Sequence, residues 1–137
     1  MKGKTTVTTK HANVLLVDDN EIDNFINERM ITSSNFSSKV TVKDSADSAL
    51  AYLIEHKDDL ENLPEVIFLD LNMPVKDGFA FLDEFDKLDA SIKENTKIVV
   101  LSSSISPDDI NKASINPYVF KYINKPLSEK YLNAINL

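Results

Sequence analysis

The sequence has no cysteine, and its 137 residues include only two glycines, Gly3 and Gly78, and two histidines, His11 and His56. Without cysteine there is no disulfide framework, no thiolate zinc site and no cysteine nucleophile. Two histidines are too few for a histidine-rich metal cluster. Gly3 falls in a polar N-terminal stretch, which leaves Gly78 as the glycine of the folded part. Phosphate-cradling loops need several closely spaced glycines, so nucleotide binding by a P-loop or a dinucleotide fingerprint is excluded. Basic residues are also scarce, 15 against 22 acidic ones, for a net charge of −7, which argues against nucleic acid as a partner. No apolar run approaches the ~20 residues of a membrane span. The polar start, Met1 to Thr6, has no secretory core. The expectation is a cytoplasmic protein with no membrane partner.

What is present is a 42% hydrophobic chain of one-domain length. Residues 1–11 read as a flexible lead and 12–137 as one folded domain. Val14-Leu15-Leu16-Val17, Val66-Ile67-Phe68-Leu69 and Ile98-Val99-Val100-Leu101 are continuous apolar runs, as strands buried on both faces should be. Lys39–Val42 is a weaker strand, expected at an edge, and Tyr118–Tyr122 is a fifth. Between them lie helix-period stripes: Ile22, Phe25, Ile26 and Met30; then Ala46, Ala49, Leu50, Leu53 and Ile54; then Phe81, Leu82, Phe85, Leu88 and Ile92. Ser106-Pro107-Asp108-Asp109 opens a fourth helix with an N-cap, a first-turn proline and acids. Its body, Ile110 to Asn116, is mostly poor helix formers, which predicts a weak helix. Ser128 caps a short last one. Asn35, Asn95 and Asn116 stand where helices often end on a left-handed glycine. Strict strand–helix alternation implies a parallel sheet with helices on both faces.

In such a sheet, ligands bind beyond the carboxyl ends of the strands. Asp18 and Asp19 follow the first strand, Asp70 the third and Ser102 the fourth, and Lys125 lies shortly after the fifth. Taken singly, each has an ordinary explanation as a cap, a turn residue or a solvated charge. Together at one sheet edge they form an acidic cluster that needs a counter-charge. Two carboxylates ~4 Å apart repel by roughly 4 kcal/mol at an effective dielectric of 20. Lys125 offsets part of this for three acids, and a hard dication such as Mg²⁺, with oxygen ligands, offsets the rest. One carboxylate then remains to act as a nucleophile toward phosphorus. Asp77-Gly78 reads as a tight-turn signal.

These segments resemble the receiver domain of two-component response regulators (CheY-like) over nearly the whole chain after the lead. The resemblance rests on Val14–Asn20, on Val66-Ile67-Phe68-Leu69-Asp70-Leu71-Asn72-Met73-Pro74 running to Asp77-Gly78, on Ile98–Ser103, and on Tyr122-Ile123-Asn124-Lys125-Pro126. It implies an α/β, flavodoxin-like, doubly wound (βα)5 fold with five parallel strands ordered 2-1-3-4-5. It implies phosphorylation of Asp70. It gives Mg²⁺ binding by Asp19 and Asp70, by Asp18 through water, and by the backbone carbonyl of Asn72. Phosphoryl binding falls to Ser102 and Lys125, with Tyr122 as an aromatic switch. Pro74, Gly78 and Pro126 become structural turn residues, with Lys125–Pro126 expected cis. The implied partners are a sensor histidine kinase or histidine phosphotransfer protein, and an unknown downstream protein target reached through the helix 4/strand 5/helix 5 surface. The chain then reads as a stand-alone regulator or relay shuttle, monomeric or weakly dimeric.

Three rival readings exist. A haloacid-dehalogenase-like phosphatase wants a second aspartate two residues after the nucleophile, where Asn72 stands and cannot trade protons. A flavin binder must accept a phosphate after its first strand, where Asp18, Asp19, Glu21 and Asp23 repel one. A constitutive receiver-like binding module would not need all five functional positions to be filled.

Overall fold

The computed structural model describes residue 11 and residues 13–135. Of the expected lead, residues 1–11, residues 1–10 therefore lie outside the described residues. The elements are β1 (Val14–Val17), α1 (Glu21–Ser33), β2 (Val40–Lys43), α2 (Ala46–Glu55), β3 (Val66–Leu69), α3 (Gly78–Phe85), α4 (Ala90–Asn95), β4 (Lys97–Ser102), α5 (Pro107–Ser114), β5 (Val119–Asn124) and α6 (Glu129–Ala134). All strand pairs are parallel, in the order β2-β1-β3-β4-β5.

The apolar runs divide by parity, because successive strand side chains point to opposite faces. Leu15, Val17, Ile67, Leu69 and Ile98 pack with α2, α3 and Ile92 of α4. Val14, Leu16, Val66, Phe68, Val99 and Leu101 pack against Ile31 of α1 and Leu132 of α6 on the other face. Each fully buried branched or aromatic side chain contributes roughly 1.5–3 kcal/mol. Among the described residues, no helix is long and apolar enough to cross a membrane.

Several local expectations are corrected. The third helix is two helices: Leu88 and Ile92 fall beyond a break after α3, because Asp89 caps a new helix through Ser91 N–H. The apolar stripe of α1 does not face the core. Ile22, Phe25 and Ile26 are 71%, 62% and 48% exposed, whereas Asn24, Asn27 and Ile31 are buried. The Asn20 cap fixes where the helix starts, and the Asn24 side-chain amide donates to the Asp18 carbonyl at 2.7 Å, which sets its rotation. His11 is tied down as well. Its N–H bonds the Phe36 carbonyl at 2.8 Å, its ring lies 4.6 Å from that of Phe36, and its Nδ1 is 2.9 Å from Glu65. Of the three asparagines, Asn35 alone takes a positive φ, 61°. Asn95 instead bonds the Ser91 carbonyl, and Asn116 accepts from Tyr118 N–H, so neither needs that conformation. The caps Ser106, with Pro107 behind it, and Ser128 are as expected. Ala113 is the buried residue of α5.

Val75 has φ 68° within a three-residue turn closed by Lys76 N–H to the Pro74 carbonyl at 2.8 Å. Its side chain is fully exposed, so the left-handed backbone is held without any packing return. Val75→Asn should raise stability by about 1 kcal/mol, because asparagine accepts this conformation more readily than a β-branched residue. Urea denaturation checks this; an unchanged or lower midpoint contradicts it.

Candidate functional site

The parallel register brings the strand ends to one edge. Val17 pairs with Leu69 and Leu69 with Val100, while Ser102 pairs with Asn124. The backbone continues this lacing past the strands: Asp70 N–H bonds the Val17 carbonyl at 3.0 Å and Lys125 N–H the Ser102 carbonyl at 3.0 Å. The Lys125–Pro126 bond is cis, as expected.

Asp18, Asp19 and Asp70 converge, with one carboxylate oxygen from each lying within 4.8 Å of the others. Asp18 and Asp70 are 2% and 5% exposed, and Asp19 is exposed. Asp18 is fully partnered: Oδ1 accepts from Asn20 N–H at 2.9 Å and Oδ2 from Lys125 Nζ at 2.6 Å. Lys125 also donates to Asp23 at 2.9 Å, but stands 3.7 Å from Asp70 Oδ1. That Asp70 oxygen is buried and has no hydrogen-bond partner. Burial, and next the Asp18 charge, push the Asp70 carboxyl up to about 6, against the opposing pull of Lys125 and the Asn72 amide. Burial pulls the Lys125 ammonium down, but the bonds to Asp18 and Asp23 and the charges of Asp70 and Asp18 together hold it above its usual range. An all-oxygen cluster, an orphaned buried carboxylate oxygen and a carboxyl that resists ionisation together fit a hard divalent cation.

The family model for the response regulator receiver domain matches residues 14–136. The chain belongs to this family. A two-component response regulator structure from Cytophaga hutchinsonii is 32% identical, covers 91% of this chain and 93% of that one, and superposes with TM-score 0.84. The phosphorylated cyanobacterial phytochrome response regulator RcpA is 31% identical, with coverage of 89% and 86% and TM-score 0.71. The Mn²⁺-bound form of response regulator Rcp1 is 26% identical, with coverage of 90% and 91% and TM-score 0.72. Receiver domains act as phospho-acceptors in signalling rather than as metabolic enzymes, and bind Mg²⁺ or Mn²⁺ at an acidic pocket.

Ser102 ends β4, fully buried, and its hydroxyl accepts from Ser104 N–H at 3.1 Å. Tyr122 is half-buried beside Leu71, Val100 and Ala113, and its hydroxyl donates to the Ser104 carbonyl at 2.8 Å. Asn124 donates to the same carbonyl at 3.0 Å, and the Ser104 hydroxyl bonds Asp109 at 2.7 Å. Ser104 thus ties β4, β5 and α5 together. Asn72 is exposed beside Asp70. Pro74 closes the Val75 turn. Gly78 has no left-handed φ and is not the turn residue expected; it heads α3, and Asp77 caps that helix through Ala80 N–H. The sequence reading missed Asp23 as a site residue. No local pattern marks it, because its bond to Lys125 joins positions 102 residues apart.

Proposed function

We propose that this receiver domain accepts a phosphoryl group on Asp70 from a phosphohistidine of a sensor histidine kinase or histidine phosphotransfer protein, and so alters the α5, β5 and α6 surface offered to a downstream protein. The observation that carries this is Asp70 itself: buried at a strand end, one oxygen unpartnered, between two carboxylates and an ammonium. At neutral pH its carboxyl is ionised despite the upward shift, so an oxygen lone pair is available to phosphorus. The new bond joins this oxygen to phosphorus; the bond from phosphorus to the donor imidazole nitrogen breaks, and that nitrogen keeps the electron pair. Lys125 stabilises charge on the transferring oxygens. Ser102 donates its hydroxyl to one of them, leaving its Ser104 contact. Because Ser104 also holds Tyr122 and α5, that exchange biases the weakly buried α5, a population shift set off by a local charge event.

Asp19, Asp70 and the Asn72 carbonyl, with Asp18 through water, would hold Mg²⁺, which supplies charge neutralisation at the phosphoryl oxygens. The phosphorylated state of RcpA and the Mn²⁺-bound state of Rcp1 support both parts of this reading. The reading also places the protein in the cytoplasm, with residues 12–137 as the functional unit.

Incubation with a small acyl phosphate and Mg²⁺, followed by intact-mass measurement, should show one added phosphoryl group. The adduct should be absent with EDTA and in Asp70→Asn. A wild-type protein that stays unmodified overturns the reading.

A further inference from the structure

The geometry points to Asp23 as a positioning residue that competes with the phosphoryl group on Asp70 for the Lys125 ammonium. This rests on Asp70 being the phospho-acceptor. An ammonium has three N–H donors. Two are taken, by Asp18 Oδ2 at 2.6 Å and Asp23 Oδ2 at 2.9 Å. The Asp70 oxygen, at 3.7 Å, receives none and stays unpartnered although it is buried. Lys125 is thus drawn toward the rim of the pocket by a charge outside the acidic trio.

The two bonded carboxylates are not equivalent. The Asp18 side chain is 2% exposed and that of Asp23 is 36% exposed. Separating Lys125 from Asp18 leaves a buried charge uncompensated, which is expensive. Letting go of Asp23 costs little, because water takes over its solvation. Asp23 and Lys125 line an open cleft of about 280 Å³ with Ile26, Asn27, Ser103 and Pro126, so water reaches the pair. Asp23 is therefore the partner that yields when phosphoryl oxygens arrive at Asp70. Asp18 alone keeps the ammonium at the pocket, so the loss of Asp23 does not unmoor Lys125. It frees one donor and removes one competing charge.

Asp23→Asn keeps a side-chain acceptor and removes the charge. Its initial rate of phosphorylation by a small acyl phosphate should exceed wild type about two- to fivefold, the size a partly exposed ion pair supports. Its apparent affinity for trifluoroberyllate, a phosphoryl mimic, should rise by a similar factor. Asp23→Ala, which removes the partner altogether, should change both in the same direction. An anionic donor would also approach a less acidic surface faster, and the Lys125→Ala background separates that effect: there, Asp23→Asn should change neither measurement. Equal or lower values in Asp23→Asn, or a gain that persists in Lys125→Ala, overturn the role of Asp23. If the wild type takes up no phosphoryl group on Asp70, the proposed function falls and this inference falls with it. A labelled wild type with an unchanged Asp23→Asn overturns this inference alone.

Discussion

Gly78→Ala should destabilise the protein by about 2–3 kcal/mol, lowering its melting temperature by about 7–10 °C. A methyl group on Gly78 would lie 2.7 Å from the Asp70 carbonyl oxygen and 2.7 Å from the Leu71 Cα, both backbone atoms, and 3.0 Å from Leu71 Cδ2. Backbone cannot turn aside as a flexible side chain can, so α3 or the end of β3 must shift. The Gly78 N–H bond to the Leu71 carbonyl, 2.9 Å, is what draws the helix start so close. The sign of the effect is diagnostic. Gly78 is helical and has no left-handed φ, so helix propensity alone favours alanine by up to about 1 kcal/mol. A destabilised variant shows that close approach decides the residue; a stabilised one shows that it does not. Because the displaced atoms belong to the peptide carrying Asp70, phosphoryl uptake should fall in parallel. Thermal denaturation with the mass-shift assay measures both.

Asp70→Asn should stabilise the metal-free protein at pH 7–8 by about 1–3 kcal/mol, or about 3–10 °C. Burial raises the folded-state Asp70 carboxyl from 3.8 to about 6. Between those values the folded protein binds more protons than the unfolded chain, so wild-type stability falls as pH rises through this window. The deficit is complete above about pH 6 and absent below about pH 4. Asparagine has no such deficit. The gap between variant and wild type should therefore open from pH 4 to pH 6 and then stay level. Adding Mg²⁺ should narrow it, because a ligand of the native state stabilises the wild type by mass action. Melting temperatures across this pH range, with EDTA and with Mg²⁺, give the test. A gap independent of pH contradicts the assignment of the cost to Asp70 ionisation.

The lower-resolution features of this protein were legible in the residues. Three doubly buried apolar runs, alternating with helical stripes, are compatible with few arrangements other than a parallel sheet. In a parallel sheet every strand ends at the same edge, so Asp18, Asp19, Asp70, Ser102 and Lys125 could be placed together from chain order alone. The caps Ser106 and Ser128 were legible because capping depends on the few residues next to it. The stripe of α1 misled because hydrophobic spacing records where apolar residues lie, not which side of the helix is buried. The Asn20 cap and the Asn24 bond to Asp18 decided that, turning polar Asn24 and Asn27 inward and Phe25 outward.

By itself the sequence determined the fold, the strand order through its resemblance to a known family, and the acidic edge, because these follow from periodicity and from which residues end each strand. The tertiary structure alone decided that Asp23 shares Lys125, that Asp70 keeps an unpartnered oxygen, that Val75 is left-handed, and that Gly78 is required by close approach. Each of these depends on distances between segments far apart in the chain, or on a backbone conformation that neighbouring segments impose, and no local pattern of residue types encodes either.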